Sequence, residues 1–124
     1  MIFLDTHVVV WLFSGYVTKL SKVVVDHIEN NDLFISHVVR LELQYLFEIG
    51  RITAAPETII KNLNASIGLK VSLMKTEQVF DKAIEYSWTR DVFDRLITAE
   101  ADVSGFVLIT KDKIILANYN KAIW

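Results

Sequence analysis

The chain of 124 residues contains no cysteine, one proline and four glycines, and each scarcity excludes something. Without cysteine there is no disulfide scaffold, no thiolate zinc site and no cysteine nucleophile, so any metal must be held by oxygen or histidine. With so little proline and glycine, no low-complexity tract and no repeat, nothing reads as a linker, and residues 1–124 are expected to form one domain. The longest uninterrupted apolar run is Val8–Phe13, far short of the roughly 20 residues that cross a bilayer. Asp5 stands before that run, where an export signal would carry basic residues, so neither a membrane span nor secretion is expected. Positive charge is also scarce: 13 Lys and Arg against 15 Asp and Glu leave a net charge of −2, and no overall field recruits nucleic acid. Apolar residues, by contrast, make up 52% of the chain. That is more than a small domain readily hides, which implies a partner over part of the surface.

Short apolar runs at Ile2–Leu4, Leu33–Ser36, Leu69–Leu73 and Phe106–Thr110, with a fifth at Ala122–Trp124, read as buried strands. Helical periodicity fills the gaps. In Thr18–Asn30 the set Leu20, Val23, Val24, His27 and Ile28 lines one face; in Thr76–Ser87, opened by Thr76 as N-cap, Val79, Phe80, Ala83 and Ile84 do the same. Further helices are expected at Val38–Ile49 before Gly50, at Glu57–Ile67 after Pro56, and at Asp91–Val103 before Gly105. Strands alternating with helices predict an α/β three-layer sandwich around a central, mainly parallel sheet of four to five strands.

In such a fold, strand C-termini and helix N-termini share one edge, where ligands bind. Asp5 follows the first strand, Glu42 lies in the first turns of the helix after the second, Asp91 and Asp94 open another helix, and Asp112 follows the fourth strand. Each also has a structural reading. Asp5 caps a helix starting at Thr6 or His7, Asp91 caps its helix, Asp94 meets the helix dipole, and Asp112 caps a short turn. Glu42 points with the apolar side of Val38, Val39, Tyr45, Leu46 and Ile49, so its charge needs a cation, either a metal or an arginine such as Arg95. Four like charges at one edge repel unless a divalent ion neutralises them, and oxygen ligation favours Mg²⁺ or Mn²⁺.

Leu-Asp-Thr-His at 4–7, Ser36 six positions before Glu42, Arg-Asp-Val-Phe-Asp-Arg-Leu-Ile at 90–97 and Leu-Ile-Thr-Lys-Asp at 108–112 together resemble a PIN domain. The likeness is closest to toxin ribonucleases of the VapC type from bacterial and archaeal toxin–antitoxin pairs, and it covers essentially the whole chain. It implies a cytoplasmic endoribonuclease using Mg²⁺ or Mn²⁺, with Asp5, Glu42, Asp94 and Asp112 as a catalytic metal-binding quartet. Asp91 would be auxiliary, and the Thr6 and Thr110 hydroxyls would position water or ligands. The implied partners are an RNA substrate and a cognate antitoxin; with the apolar excess, a homodimer is also expected. The family often places proline between the two acids of its Asp-x-Phe-Asp motif, whereas this chain has Val92. That removes a rigid helix start but no ligand.

Arg40, Arg90, Arg95, Lys111 and Lys113 flank the acids and read either as a rim for RNA phosphates or as solvated charges. His7 adjoins Asp5 and reads as a capping or packing residue before a ligand; His27 and His37 read as core or turn residues. Trp11, Phe13, Tyr45, Phe47, Trp88 and Trp124 read as core or interface aromatics before base-stacking ones. No dinucleotide fingerprint, Walker loop, serine elbow or zincin motif occurs. Two other functions remain in view. One is a non-catalytic PIN-like interaction module. The other is an α/β phosphatase-type hydrolase, which fits less well because Asp5-Thr6-His7 stands where Asp-x-Asp is needed.

Overall fold

The computed structural model describes all residues, Met1–Trp124. In chain order it contains β1 (Ile2–Leu4), α1 (Thr6–Ser14), a 3₁₀ turn (Val17–Lys19), α2 (Lys22–Glu29), β2 (Leu33–Ile35), α3 (His37–Glu48), α4 (Pro56–Ile67), β3 (Lys70–Val71), α5 (Thr76–Glu85), α6 (Val92–Ser104), β4 (Val107–Ile109), α7 (Lys113–Asn118) and β5 (Ala122–Ile123). The strands form one sheet in the order β3-β2-β1-β4-β5, and every pairing is parallel. β1 is central, with Phe3 opposite Phe34 on one side and Leu108 on the other. Ile2, Phe3 and Leu4 are all buried although successive side chains point to opposite faces, so helices cover the sheet on both sides. One cluster of 21 buried apolar residues runs through this sandwich.

Several expected boundaries move, for local reasons. Ser36 is not the end of a strand but the N-cap of α3, its hydroxyl accepting from the Val38 N–H at 3.0 Å. The helix expected at 18–30 is interrupted at Leu20, where the backbone is extended, and α2 starts only after the Ser21 cap. Thr76 is the first residue of α5 rather than its cap; Lys75 precedes it without a side-chain cap bond. Phe80 and Ile84 of α5, placed on the buried stripe by their spacing, are 46% and 76% exposed. α5 packs chiefly along α6, through Val79, Ala83 and Ala99, and this contact is narrower than its apolar stripe. Tyr16 lies beyond α1, after Gly15 has turned the chain at φ +75°, and Trp11 and Phe13 are half-buried against the core.

Strand order decides where a crevice can open. From β1 the chain builds outward through β2 and β3, then crosses to β4 on the other side of β1. The carboxyl ends of β1 and β4 therefore flank the point where the winding reverses, and helices leaving neighbouring strands in opposite directions leave a gap there. Asp5 and Thr110 are the first residues past those two strands, and the Asp5 N–H donates to the carbonyl of Ile109, the last residue of β4, at 2.9 Å. No helix is long and apolar enough to cross a membrane.

Candidate active site

A depression of about 380 Å³ lies at that crevice, lined by Asp5, His7, Trp11, Glu42, Asp91, Asp94, Lys111 and Asp112. All four acids of the expected quartet, and Asp91, thus reach one space from four segments of the chain. Asp5 is 6% exposed. One of its oxygens accepts from the Thr6 N–H at 2.7 Å and caps α1; the other accepts from the Thr110 hydroxyl at 2.6 Å. The same Thr110 oxygen accepts from the Asp112 N–H at 3.0 Å, so this fully buried threonine ties the acid after β1 to the acid after β4. Asp112 in turn caps α7, its Oδ1 accepting from the N–H groups of Ile114 and Ile115 at 2.8 and 2.9 Å. Asp91 caps α6 by accepting from the Asp94 N–H at 3.0 Å. Capping and facing the depression are therefore not alternatives for these residues. In Asp91 and Asp112 the cap uses one oxygen and leaves the other without a hydrogen bond, whereas in the buried Asp5 the cap takes one oxygen and Thr110 the other.

Glu42 is half-buried and accepts from the Thr6 hydroxyl. The arginine partner expected as one option for it is absent: Arg95 donates instead to the Tyr86 carbonyl, and its Nε is buried without a partner. The electrostatics follow from this shortage of cations. Burial pushes the Asp5 carboxyl above its ordinary range, against the bonds from Thr110 and Thr6 that favour the anion. Burial likewise raises Glu42, with the Asp5 and Asp91 charges adding to it. Asp94 has no stabilising hydrogen bond; burial first, then Asp91, Asp5, Asp112 and Glu42, raise it to about 7.

The donors are hard oxygens suited to a divalent cation, whose charge would offset their mutual repulsion. No group of three or more of these side chains stands close enough together to hold an ion as placed. The donor chemistry fits a metal, and side-chain rotation would be needed for three of these carboxylates to share one ion.

Of the basic candidates, only Lys111 lines the depression. Arg40 pairs with Glu57 at 2.8 Å and meets His37 Nδ1 at 2.9 Å in a separate hollow. Arg90 donates to the Ser87 carbonyl at 3.1 Å, and Lys113 is an exposed first residue of α7. His7 and Trp11, given packing roles from the sequence, both face the acids. Their signal was their spacing: four apart in a helix opened by Asp5, they lie on one side of α1.

The profile of the PIN domain family matches residues 2–121. No curated protein is similar enough in sequence to match. In fold the chain is similar to a chain in the crystal structure of VapBC2 from Rickettsia felis bound to a DNA fragment from their promoter. The TM-score is 0.65 at 21% identity, covering 99% of this chain and 96% of that one. The match over nearly the whole length agrees with a central β1 whose following acid meets others from α3, α6 and the end of β4: the chain belongs to the PIN domain family.

Proposed function

We propose that the chain is a Mg²⁺- or Mn²⁺-dependent endoribonuclease acting in the cytoplasm as the toxin of a VapC-type toxin–antitoxin pair, within one domain spanning residues 1–124. The observation that carries this reading is the convergence of Asp5, Glu42, Asp94 and Asp112 on one depression at the switch point of the sheet. A divalent ion held by these carboxylates would polarise the scissile phosphate and activate the attacking water, leaving a 5′-phosphate and a 3′-hydroxyl. Asp91 assists from the rim. The chain's own residues prepare the site: Thr110 and Thr6 hold the acids in position, and Lys111 supplies the attraction for phosphate that the net charge of the chain does not. Arg90 and Lys113 flank the acids in sequence and would extend that rim once RNA is bound, whereas Arg95, held by the Tyr86 carbonyl, and Arg40, neutralised by Glu57, contribute least.

Incubating the chain with labelled RNA tests this directly. Cleavage with millimolar Mg²⁺ or Mn²⁺ and none with EDTA is expected. Intact RNA under all conditions, with no metal binding by calorimetry, would remove the reading. One observation favours a second reading, a non-catalytic PIN-like interaction module: the acids do not stand as a ready-made ion cage. The same calorimetry separates the two, because a module without chemistry has no need to bind the ion.

The reading also places partners on the surface. Leu41 and Tyr45 on α3, and Phe80, Ile84 and Val92 along the α5–α6 groove, are apolar and 46–76% exposed. A homodimer covering such a groove, and an antitoxin segment that sends an arginine toward the carboxylates, would account for them. Light scattering at micromolar concentration is expected to give a dimer mass, and Ile84→Glu is expected to shift it toward the monomer without lowering the melting temperature. A monomer mass for the unaltered chain at every concentration refutes the homodimer.

A further inference from the structure

Lys111 lies beside five carboxylates yet makes no ion pair with any of them; the ion pairs of the chain join Arg40 to Glu57 and Lys82 to Glu85 and Asp102. Its ammonium is instead held over two indoles, 5.7 Å from the ring centre of Trp11 and 5.6 Å from that of Trp124. These rings are 5.5 Å apart and inclined at 59°. A second ammonium, that of Lys19, stands 5.4 Å over Trp11 and 5.3 Å over Tyr16. Trp11 also lines the acid depression itself and is only half-buried. Trp11 and Lys111 therefore form a wall on one side of the acids, and Trp124 and the exposed Lys19 continue it away from them.

We propose that Trp11 and Trp124, with Lys111 and Lys19, form the subsite that takes one unpaired nucleotide of the substrate beside the scissile phosphate. The inference deepens the nuclease reading and rests on it. A phosphodiester offers each lysine a stronger partner than an indole face, since a charge-assisted hydrogen bond replaces a cation–π contact. As the ammonium groups turn to the phosphates they vacate the rings, and a base stacks where they stood. A base inside a duplex already has both faces covered, so only a single-stranded or looped-out nucleotide fits. The subsite thus selects unpaired RNA by stacking rather than by reading a sequence, and it concentrates positive charge where the chain as a whole has none.

The test uses the full chain carrying Asp94→Asn, to prevent cleavage, with Mg²⁺ present. Tryptophan fluorescence is followed while a short single-stranded oligoribonucleotide, or the same strand in a duplex, is added. Quenching is expected, with the single strand binding at least about tenfold more tightly than the duplex. Trp11→Ala and Lys111→Ala should each weaken it about tenfold, and Trp11→Phe should keep most of the affinity. In the chain with Asp94 intact, Lys111→Ala should raise KM for RNA while leaving kcat nearly unchanged. The preference of the parent chain for the single strand over the duplex decides the matter even where Trp11→Ala fails to fold, because loss of Lys111 alone weakens phosphate binding with or without stacking. Unchanged affinity in variants that melt like the parent, or equal affinity for the duplex, overturns the subsite. If the parent then still cuts RNA, the nuclease reading survives. If the parent cuts nothing but binds single strands through Trp11 and Lys111, the subsite stands and the nuclease reading falls.

Discussion

Amide substitution at Asp5, Glu42, Asp94 or Asp112 is expected to lower RNA cleavage by more than about a hundredfold, whereas Asp91→Asn keeps at least about a tenth of it. The difference lies in what each oxygen does. The bond that Asp91 makes is a helix cap, and an amide oxygen accepts from the Asp94 N–H as well as a carboxylate oxygen does. Asp112 is the informative contrast, because it also caps a helix. Asp112→Asn preserves the cap and the fold but removes a charge, so its lost activity reports the site alone. Thr110→Val removes the hydroxyl that joins Asp5 to Asp112 and should cost about ten- to a hundredfold, acting through the two acids rather than on the substrate. Single-turnover cleavage assays on variants that are at least as stable as the parent measure all of these. Full activity in Glu42→Gln would take Glu42 out of the site, and equal, complete loss at all five acids would make Asp91 a ligand.

The parts of this arrangement that were legible in the sequence are those set by neighbours along the chain. Ile2–Leu4 reads as a buried strand because it is short, apolar and followed at once by a polar cap. Because parallel strands all finish at the same edge, acids placed after strands or at helix starts had to come together there. The misses depended on contacts distant in sequence or on too short a signal. α7 has only six residues, too few to show a period before the chain turns into β5. The apolar pattern runs through Leu20 into α2 and so hides a break that the Ser21 cap creates. Periodicity located the apolar stripe of α5 but not how much of it α6 covers, hence the exposed Phe80 and Ile84. Glu57, seventeen residues from Arg40, withdraws that arginine from the acids, and nothing local announces the pair. The cation that Glu42 lacks was equally invisible, since Arg95 is turned away by the Tyr86 carbonyl.

Burial and mutual repulsion of these acids make the fold in the absence of metal sensitive to pH in an unusual direction for carboxylates. Asp94 ordinarily titrates at 3.8 but is raised to about 7 in the folded chain by burial and by its acidic neighbours, and burial raises Asp5 and Glu42 as well. Between about pH 4 and pH 7 the folded state therefore binds protons that the unfolded state has released. Stability is fully present below the unfolded value and is lost as pH rises through the folded one. For Asp94 the whole shift would correspond to about 4 kcal/mol, and its partial exposure to solvent reduces this to about 1–2 kcal/mol. In EDTA the melting temperature should thus fall by roughly 5–10 °C between pH 5 and pH 8. Millimolar Mg²⁺ or Mn²⁺ should restore it at pH 8 and do little at pH 5, where protons compete for the same oxygens. Asp94→Asn supplies the decisive comparison, because it removes the charge that the fold tolerates least. It should melt higher than the parent at pH 8 in EDTA, gain less from added metal, and cleave no RNA, since on the proposed reading the carboxylate that costs stability without metal is one that would hold the ion. A parent chain whose melting temperature is flat from pH 5 to pH 8 and indifferent to metal would show that these acids neither repel one another nor receive an ion.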